Sequence, residues 1–279
     1  MAEAGKRVRV TDLKERKQRG EKIPVLTAYD ATMARLFERA GVDVLLVGDS
    51  VGMVMLGYET TLPVTLDAML HHTRAVAAGS ERALVIADMP FLTYQTSVAD
   101  AVRNAGRLMQ EGGAAAVKLE GGRPMLEVVE RLVSIGIPVM AHLGLLPQSV
   151  HQLGGFRQQA KTDEDATRLI EDAKMLEQAG AFALVLESIP NEVARAASEA
   201  LEIPTIGIGA GPHCDGQVLV CYDALGLFDQ DKTPPPFVKQ YAQLGQEIVS
   251  AAAAYVEDVR AGRFPSEQRA ASAGPARIE

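Results

Sequence analysis

The chain has 279 residues, of which 47% are apolar, and its formal net charge at pH 7 is −8. The acidic balance, without a basic stripe interleaved with aromatic residues, argues against a nucleic-acid-binding surface. Two cysteines, Cys214 and Cys221, are too few for a disulfide framework, and no apolar stretch approaches membrane-spanning length. The N-terminal sequence MAEAGKRVRV also lacks the apolar core of a signal peptide. We therefore predict a cytoplasmic protein with no nucleic-acid or membrane partner.

Strands and helices alternate along most of the chain. A short polar helix is predicted over 10–20, and later stretches such as TMARLFERAG have helical character and end in a glycine before the next strand. Apolar runs rich in Val, Leu and Ile predict strands that are buried on both faces. These runs cover 23–30, 42–50, 83–90, 114–122, 137–145, 181–190, 203–211 and 219–227.

Eight strands that alternate with helices predict a (β/α)8 TIM barrel, forming one catalytic domain over 1–265. An open, doubly wound sheet is the alternative architecture. Two loops at strand C-termini, 51–64 and 145–163, are longer than turns require, as lids and substrate walls often are. The last helix is predicted to end near residue 262, and the composition of 266–279 predicts a mobile tail.

Four of the predicted strands end on an acidic residue. Asp49 lies in VLLVGDS, Asp88 in LVIADMP, Glu120 in AVKLEGG and Glu187 in LVLESIP. The C-terminal ends of parallel strands form the active sites of α/β barrels, so these carboxylates are predicted to surround one mouth. Because clustered carboxylates repel one another, the pattern indicates a bound cation and proton transfer.

The acids on strands two to four predict a metal site. Asp49 and Asp88 end neighbouring strands, and a hard divalent ion such as Mg²⁺ prefers oxygen ligands and keeps several waters. Each aspartate taken alone is explained as well by a helix cap. Together with Glu120, the acids favour metal binding.

Other residues at the same rim are candidates for substrate contacts. Lys118 is two residues from Glu120 on one strand, so both side chains point into the mouth. We interpret Lys118 as a protonated ammonium that holds a substrate carboxylate or enolate; a charge balancer and a Schiff-base lysine are the alternatives. His142 either orders substrate or solvent or is a satisfied core residue. Ser50 either donates to a substrate carboxylate or is only a helix cap or turn residue.

The motifs that carry these residues resemble a known enzyme family. In this order, and over about residues 10–265, they are similar to the 3-methyl-2-oxobutanoate hydroxymethyltransferases, also called ketopantoate hydroxymethyltransferases. The chain departs from the family pattern at Leu146, where threonine is common, and at Tyr222, where histidine is common. The matching motifs are TAYD (27–30), LVGDSVGM (46–53), TTLPVT (60–65), ADMPF (87–91), VKLEGG (117–122), HLGLLPQS (142–149), LVLESIP (184–190), GIGAG (207–211) and DGQ (215–217).

The resemblance implies a barrel of the phosphoenolpyruvate/pyruvate type. It implies transfer of a hydroxymethyl group from 5,10-methylenetetrahydrofolate to 2-oxoisovalerate on the route to pantothenate, by a homodecamer built as a pentamer of dimers. It places Mg²⁺ at Asp49, Asp88 and Glu120, the last directly or through water, and makes Glu187 the base. The substrate contacts that we predict are Asp49, Ser50, Asp88, Lys118 and His142.

Three other functions remain open from the sequence alone. Another enzyme that forms a Mg²⁺-stabilised enolate, such as a carbon–carbon lyase of 2-oxo acids, would use the same acids, although the chain has no KKCGH-like loop as in isocitrate lyases. A non-catalytic barrel that binds a small molecule through a metal is disfavoured by the intact set of Lys118, Glu120 and Glu187. A scaffold whose acids serve assembly would bind its ligand without Mg²⁺.

Overall fold

The computed structural model describes residues 6–228 and 233–266. Eight strands close into a barrel in sequence order, with every neighbouring pair parallel and the first strand paired with the last. The predicted (β/α)8 class is therefore confirmed, and the open sheet is excluded. The strands are β1 Ile23–Thr27, β2 Val44–Val47, β3 Leu84–Asp88, β4 Ala116–Glu120, β5 Val139–Gly144, β6 Ala183–Glu187, β7 Thr205–Ile208 and β8 Gly216–Leu219.

Helices connect the successive strands from β1 to β7. The predicted first helix is α1, and the predicted last helix is α11, which ends at Arg260. Short 3-10 turns at Arg123–Met125 and Pro147–Ser149 precede α6 and α7. The helices are α1 Val10–Gln18, α2 Ala31–Arg39, α3 Val51–Val54, α4 Leu66–Gly79, α5 Val98–Gln110, α6 Leu126–Ser134, α7 Val150–Leu153, α8 Asp163–Gln178, α9 Asn191–Ala200, α10 Cys221–Leu225 and α11 Leu244–Arg260.

The eighth strand lies earlier in the chain than the sequence predicts. The prediction of a strand over 219–227 is wrong, because β8 ends at Leu219 and α10 begins at Cys221. The apolar run VLVCYDALGL contains the end of the strand and the whole of the helix, and a short apolar run does not distinguish the two. The connection from β7 to β8, residues 209–215, contains no helix.

Alternate side chains of the strands fill the barrel interior. In β2 and β3 these are Val44, Leu46, Leu84 and Ile86, and Leu13 of α1 belongs to the same buried cluster. Strand side chains alternate between faces, so residues of the same parity nearer the strand C-termini also face inward. Asp88 is in register with Lys118, Glu120 with His142, and Gly144 with Glu187. The fold therefore directs the predicted site side chains into one end of the barrel.

The opposite end of the barrel is held by a half-buried ion cluster. Asp43, which directly precedes β2, pairs with Arg16 of α1 and with Arg82, which precedes β3. Lys17 of α1 lies 3.1 Å from the carboxylate of Asp215 before β8. Charges at this end of a (β/α)8 barrel serve stability, whereas the other end is left for chemistry.

The described residues form two compact units, the first ending at Cys221 and the second beginning at Tyr222. All eight strands belong to the first unit, and α11 in the second has no buried residue. No helix in the described ranges is long and apolar enough to cross a membrane. A single domain over 1–265 stays a prediction, and the predicted mobile tail 266–279 lies, after Ser266, outside the described residues.

Candidate active site

The predicted site residues lie together at the C-terminal ends of β2 to β6. The side chains of Asp88, Lys118, Glu120 and His142 are buried, as is Asp49 just beyond β2. Glu187, the last residue of β6, is more accessible, with 17% of its side chain exposed against 2% for His142. The mouth thus has a buried floor of ionisable groups and one acid nearer to solvent.

A buried ion pair joins β3 and β4 at the centre of this floor. Lys118 Nζ lies 2.8 Å from Asp88 Oδ1 and 3.4 Å from His142 Nδ1. Burial on its own would lower the pKa of Lys118, but the charges of Asp88, Glu120 and Asp49 outweigh burial and raise it. The lysine is therefore held as an ammonium ion, which supports the predicted role as a cation and argues against a Schiff base.

The surroundings of Asp49 disfavour its charged form. Burial, and then the nearby charges of Asp88 and Glu120, raise its pKa to about 8, although Lys118 and a hydrogen bond from Gln148 oppose this shift. The main-chain N–H of Asp49 also donates to Asp88 Oδ2 at 3.1 Å, so the Asp88 carboxylate lies against the main chain of Asp49. A divalent cation between them would favour the ionised form of both.

His142 of β5 connects two glutamates. Its Nδ1 lies 3.5 Å from Glu120 Oε1, and its Nε2 lies 3.3 Å from Glu187 Oε2. Burial and the charge of Lys118 act to lower the pKa of His142, but the two glutamates outweigh them and raise it to about 9. The same histidine lowers the pKa of Glu120 against the effect of its burial. His142 is therefore a buried member of a charge network, and its contact with substrate or solvent stays a prediction.

Ser50 lies beside this network, at the start of α3. Its hydroxyl makes no capping bond to α3 and instead lies 2.9 Å from the phenol oxygen of Tyr29. The alternative of Ser50 as a helix cap is therefore wrong. The cap alternative is also wrong for Asp88, because α5, the helix that follows β3, is capped by Ser97. Asp88 accepts instead from the main chain of Asp49.

Sequence reasoning missed two buried polar residues at the site, Gln148 and Tyr94. Gln148, in the loop after β5, donates from Nε2 to Asp49 Oδ2 at 3.0 Å. Tyr94, in the loop after β3, donates to the Gln148 carbonyl oxygen Oε1 at 2.7 Å. The only signal for Gln148 was its place in the motif HLGLLPQS. Neither residue carries a charge or ends a strand, so neither belongs to the pattern of strand-end acids.

The oxygen atoms at the mouth fit a hard divalent cation. Asp88 Oδ1 and Glu120 Oε1 are buried and accept no well-aligned hydrogen bond, although Lys118 and His142 lie close to them. Within the described residues, no three His, Cys, Asp or Glu side chains are gathered into a ready-made ligand cluster. Mg²⁺ does not need one, because it is commonly held by one or two carboxylates and keeps several waters. Asp49, Asp88 and Glu120 are the residues that would hold such an ion, and this assignment stays a prediction.

Gly144 at the end of β5 allows the main chain of β6 to approach closely. Its φ is +95°, and a Cβ at this position would lie 2.2 Å from the carbonyl oxygen of Glu187. That oxygen accepts a hydrogen bond of 2.8 Å from the N–H of Leu145. The glycine thus permits the main-chain contact that fixes the position of Glu187.

Comparison with known proteins identifies the family. The profile of the ketopantoate hydroxymethyltransferases matches residues 7–267. This chain belongs to the ketopantoate hydroxymethyltransferase family. It is 56% identical to the 3-methyl-2-oxobutanoate hydroxymethyltransferase of Moorella thermoacetica, over 94% of this chain and 97% of the relative. Identity to the enzyme of the same name from Syntrophus aciditrophicus is 55%, over 94% and 96%. The resemblance predicted from the motifs is confirmed.

Solved structures confirm the barrel fold. A 2,3-dimethylmalate lyase, described as a member of the PEP mutase/isocitrate lyase superfamily, aligns with a TM-score of 0.56 at 18% identity, over 93% of this chain and 92% of its own. A phosphonopyruvate hydrolase in complex with oxalate and Mg²⁺ aligns with a TM-score of 0.60 at 13% identity, over 95% and 92%. At these identities the likeness establishes the fold alone.

The close approach at Gly144 generates a prediction with a matched control. Gly136, in the turn before β5, has a similar φ of +88°, but a Cβ there would meet no other atom within 4 Å. Gly136→Ala is expected to cost only the left-handed strain, about 1 kcal/mol of unfolding free energy. Gly144→Ala adds the clash with Glu187 and is expected to cost more stability and to slow turnover. Urea denaturation and steady-state assays measure both; equal effects of the two changes would contradict the packing role.

Proposed function

We propose that this protein transfers a hydroxymethyl group from 5,10-methylenetetrahydrofolate to 3-methyl-2-oxobutanoate, giving 2-dehydropantoate and tetrahydrofolate in pantothenate biosynthesis. The proposal is supported most strongly by sequence identity of 54–56% to 3-methyl-2-oxobutanoate hydroxymethyltransferases over nearly the whole chain. A carbon–carbon lyase is the second candidate, and its only support is the barrel fold that this chain shares with distantly related solved structures. Those structures are less than 20% identical to this chain.

We assign Mg²⁺ to Asp49 and Asp88, with Glu120 acting through water. Carboxylate oxygens from successive strand ends, two of them buried without a well-aligned hydrogen bond, support this assignment. When bound, such an ion withdraws electron density from the 2-oxo group of the substrate and so favours loss of a proton at C3.

The residues around the proposed metal position have distinct roles toward the 2-oxo acid. The Lys118 ammonium, held charged by Asp88, donates to the substrate carboxylate or to the enolate oxygen as charge develops there. Ser50 donates to the substrate carboxylate from its place beside Asp49. His142 is positioned by Glu120 on one side and orients Glu187 on the other.

Glu187 is the proposed base. Its carboxylate is the most accessible of the acids at the mouth, and His142 Nε2 lies 3.3 Å from one of its oxygens. It takes the proton from C3, and the electron pair left on C3 forms a bond to the methylene carbon of the folate iminium ion while the carbon–nitrogen π bond breaks toward nitrogen. Water then replaces that nitrogen on the methylene carbon: the carbon–oxygen bond of the hydroxymethyl group forms as the carbon–nitrogen bond breaks. One proton of the water goes to the nitrogen, and the folate leaves as tetrahydrofolate.

We also propose that the protein is a cytoplasmic homo-oligomer, a decamer by family resemblance. Buried free thiols at Cys214 and Cys221 are compatible with a reducing compartment. Helix α11 exposes large apolar side chains, including Ile248, Val249 and Tyr255. Exposed apolar faces of this kind mark association surfaces, so we propose another copy of this chain as the partner.

The metal assignment predicts that Asp88→Asn sharply weakens Mg²⁺ binding, because the change removes a charged oxygen ligand. Asp49→Asn is expected to do the same. Asp67→Asn removes an acid that is 82% exposed in α4 and serves as the control with unchanged affinity. Isothermal titration calorimetry with Mg²⁺ in the presence of 2-oxoisovalerate measures the difference. Wild-type affinity in both site variants would refute the assignment.

The base assignment predicts that Glu187→Gln keeps Mg²⁺ and 2-oxoisovalerate binding but exchanges the C3 hydrogen with D2O about 10²- to 10⁴-fold more slowly. Glutamine preserves the shape of the side chain and cannot accept the proton. Proton NMR without folate isolates this half-reaction. Glu192→Gln, on the exposed first turn of α9, is the control. Unchanged exchange in Glu187→Gln would move the base to another group, such as His142.

The assembly proposal predicts that light scattering finds a mass several times that of one chain. Val249→Asp places a charge on the exposed apolar face of α11 and is expected to lower that mass. Gln246→Asp adds a charge to an exposed polar position of the same helix and is expected to leave it unchanged. A wild-type monomer at working concentration would contradict the proposal without affecting the catalytic one.

A further inference from the structure

Gln148 is a buried residue whose hydrogen-bonding side-chain groups are all engaged. It lies in the 3-10 turn Pro147–Ser149 and is 6% exposed. Both hydrogens of its amide are used, one toward Asp49 Oδ2 at 3.0 Å and one toward the carbonyl oxygen of Met89 at 2.9 Å. Its main-chain N–H donates to Glu120 Oε2 at 3.0 Å. Its carbonyl oxygen Oε1 accepts from Tyr94 and Gln95.

These bonds join the loop after β5 to the ends of three other strands, of which only β4 is next to β5 in the barrel. Asp49 follows β2, Met89 follows β3 and Glu120 ends β4, whereas Gln148 comes from the loop after β5. One residue thus contacts two of the proposed metal ligands, Glu120 on the adjacent strand and Asp49 beyond both β3 and β4. In each carboxylate it engages one oxygen, Asp49 Oδ2 and Glu120 Oε2. The other oxygen of Glu120, Oε1, lies 3.5 Å from His142 Nδ1 and accepts no well-aligned hydrogen bond.

Tyr94 fixes the amide of Gln148 in the orientation that donates to Asp49. Its hydroxyl donates to Gln148 Oε1 at 2.7 Å and accepts from the main-chain N–H of Glu120 at 3.1 Å. An amide rotated by 180° would turn its NH2 toward Gln95 and its oxygen toward Asp49, and it would leave Met89 O without a donor. Both Tyr94 and Gln148 are buried, so water does not compete for these bonds.

We propose that Gln148 is a positioning residue that sets the side-chain orientations of Asp49 and Glu120 for the metal, and that Tyr94 locks its amide. The inference rests on the proposed metal site and extends it. Groups that orient metal-binding carboxylates typically affect metal affinity about 10- to 100-fold when they are removed. A residue that only filled space in this loop would not have that effect.

Gln148→Met tests the proposal, because the methionine side chain has a similar length and volume but cannot make the bonds to Asp49, Met89 and Tyr94, whereas the main-chain bond to Glu120 is retained. We expect the Kd for Mn²⁺, measured by electron paramagnetic resonance without substrate, to rise about 10-fold or more. Gln152→Met, an exposed position in α7 of the same loop, is the control with unchanged Kd. We further expect saturating metal to restore C3 hydrogen exchange in Gln148→Met. Rescue by metal distinguishes a positioning role from general loss of structure.

Tyr94→Phe is the milder variant and tests the network if Gln148→Met does not fold. It keeps the ring and removes only the hydroxyl, so a smaller rise in the Mn²⁺ Kd is expected. In the double variant the rise is expected to be less than the product of the two single effects, since both act through one amide. An unchanged Kd in Gln148→Met and in Tyr94→Phe would overturn the proposal, as would independent effects in the double variant.

The outcome separates this inference from the proposed function. If Asp88→Asn abolishes metal binding while Gln148→Met binds as the wild type does, only the positioning role fails. If Asp88→Asn binds Mn²⁺ normally, the metal site itself is wrong and the inference falls with it.

Discussion

The site depends on one buried cation. Lys118 is surrounded by Asp88, Glu120 and Asp49 in the floor of the barrel mouth, and its ammonium offsets part of their mutual repulsion. Removing charges from water is costly, and a buried pair of this kind is weak evidence for stability. Even with Lys118 present, burial and the neighbouring acids raise the pKa of Asp49 to about 8. The cluster is therefore better suited to receiving a further cation than to holding the fold together.

The two ends of the barrel divide stability from chemistry. At the end where the strands begin, α1 covers the apolar interior, and Asp43 is neutralised by two arginines. At the other end, the same alternation of side chains presents charged groups instead of apolar ones. Because the strands are short and fully paired, a side chain at a strand terminus has little freedom of position. The distances within the network of His142 are therefore set in large part by the strands that carry its residues.

Loop residues contribute hydrogen bonds to the site in addition to the contacts between strand ends. The long connection after β5 was expected to be a lid or substrate wall, and part of it, the turn around Gln148, is instead buried against the ends of β2, β3 and β4. The loop after β3 contributes Tyr94 to the same network. Strand geometry brings the carboxylates to the mouth, and these loop residues determine which oxygen of each carboxylate is engaged by the protein. The two contributions are physically separate, and so they can be perturbed separately.

The sequence by itself determined the class of fold and the family. Short apolar runs and repeated strand-end acids are local patterns, and they located seven of the eight strands and the acids at one mouth. Tertiary structure alone decided the placement of β8, because the apolar run from Val218 joins a strand end to a helix without a break in hydrophobicity. It also decided the roles of Gln148 and Tyr94. Both are uncharged, and their importance comes from contacts between residues as far apart as Asp49 and Gln148, which no local pattern encodes.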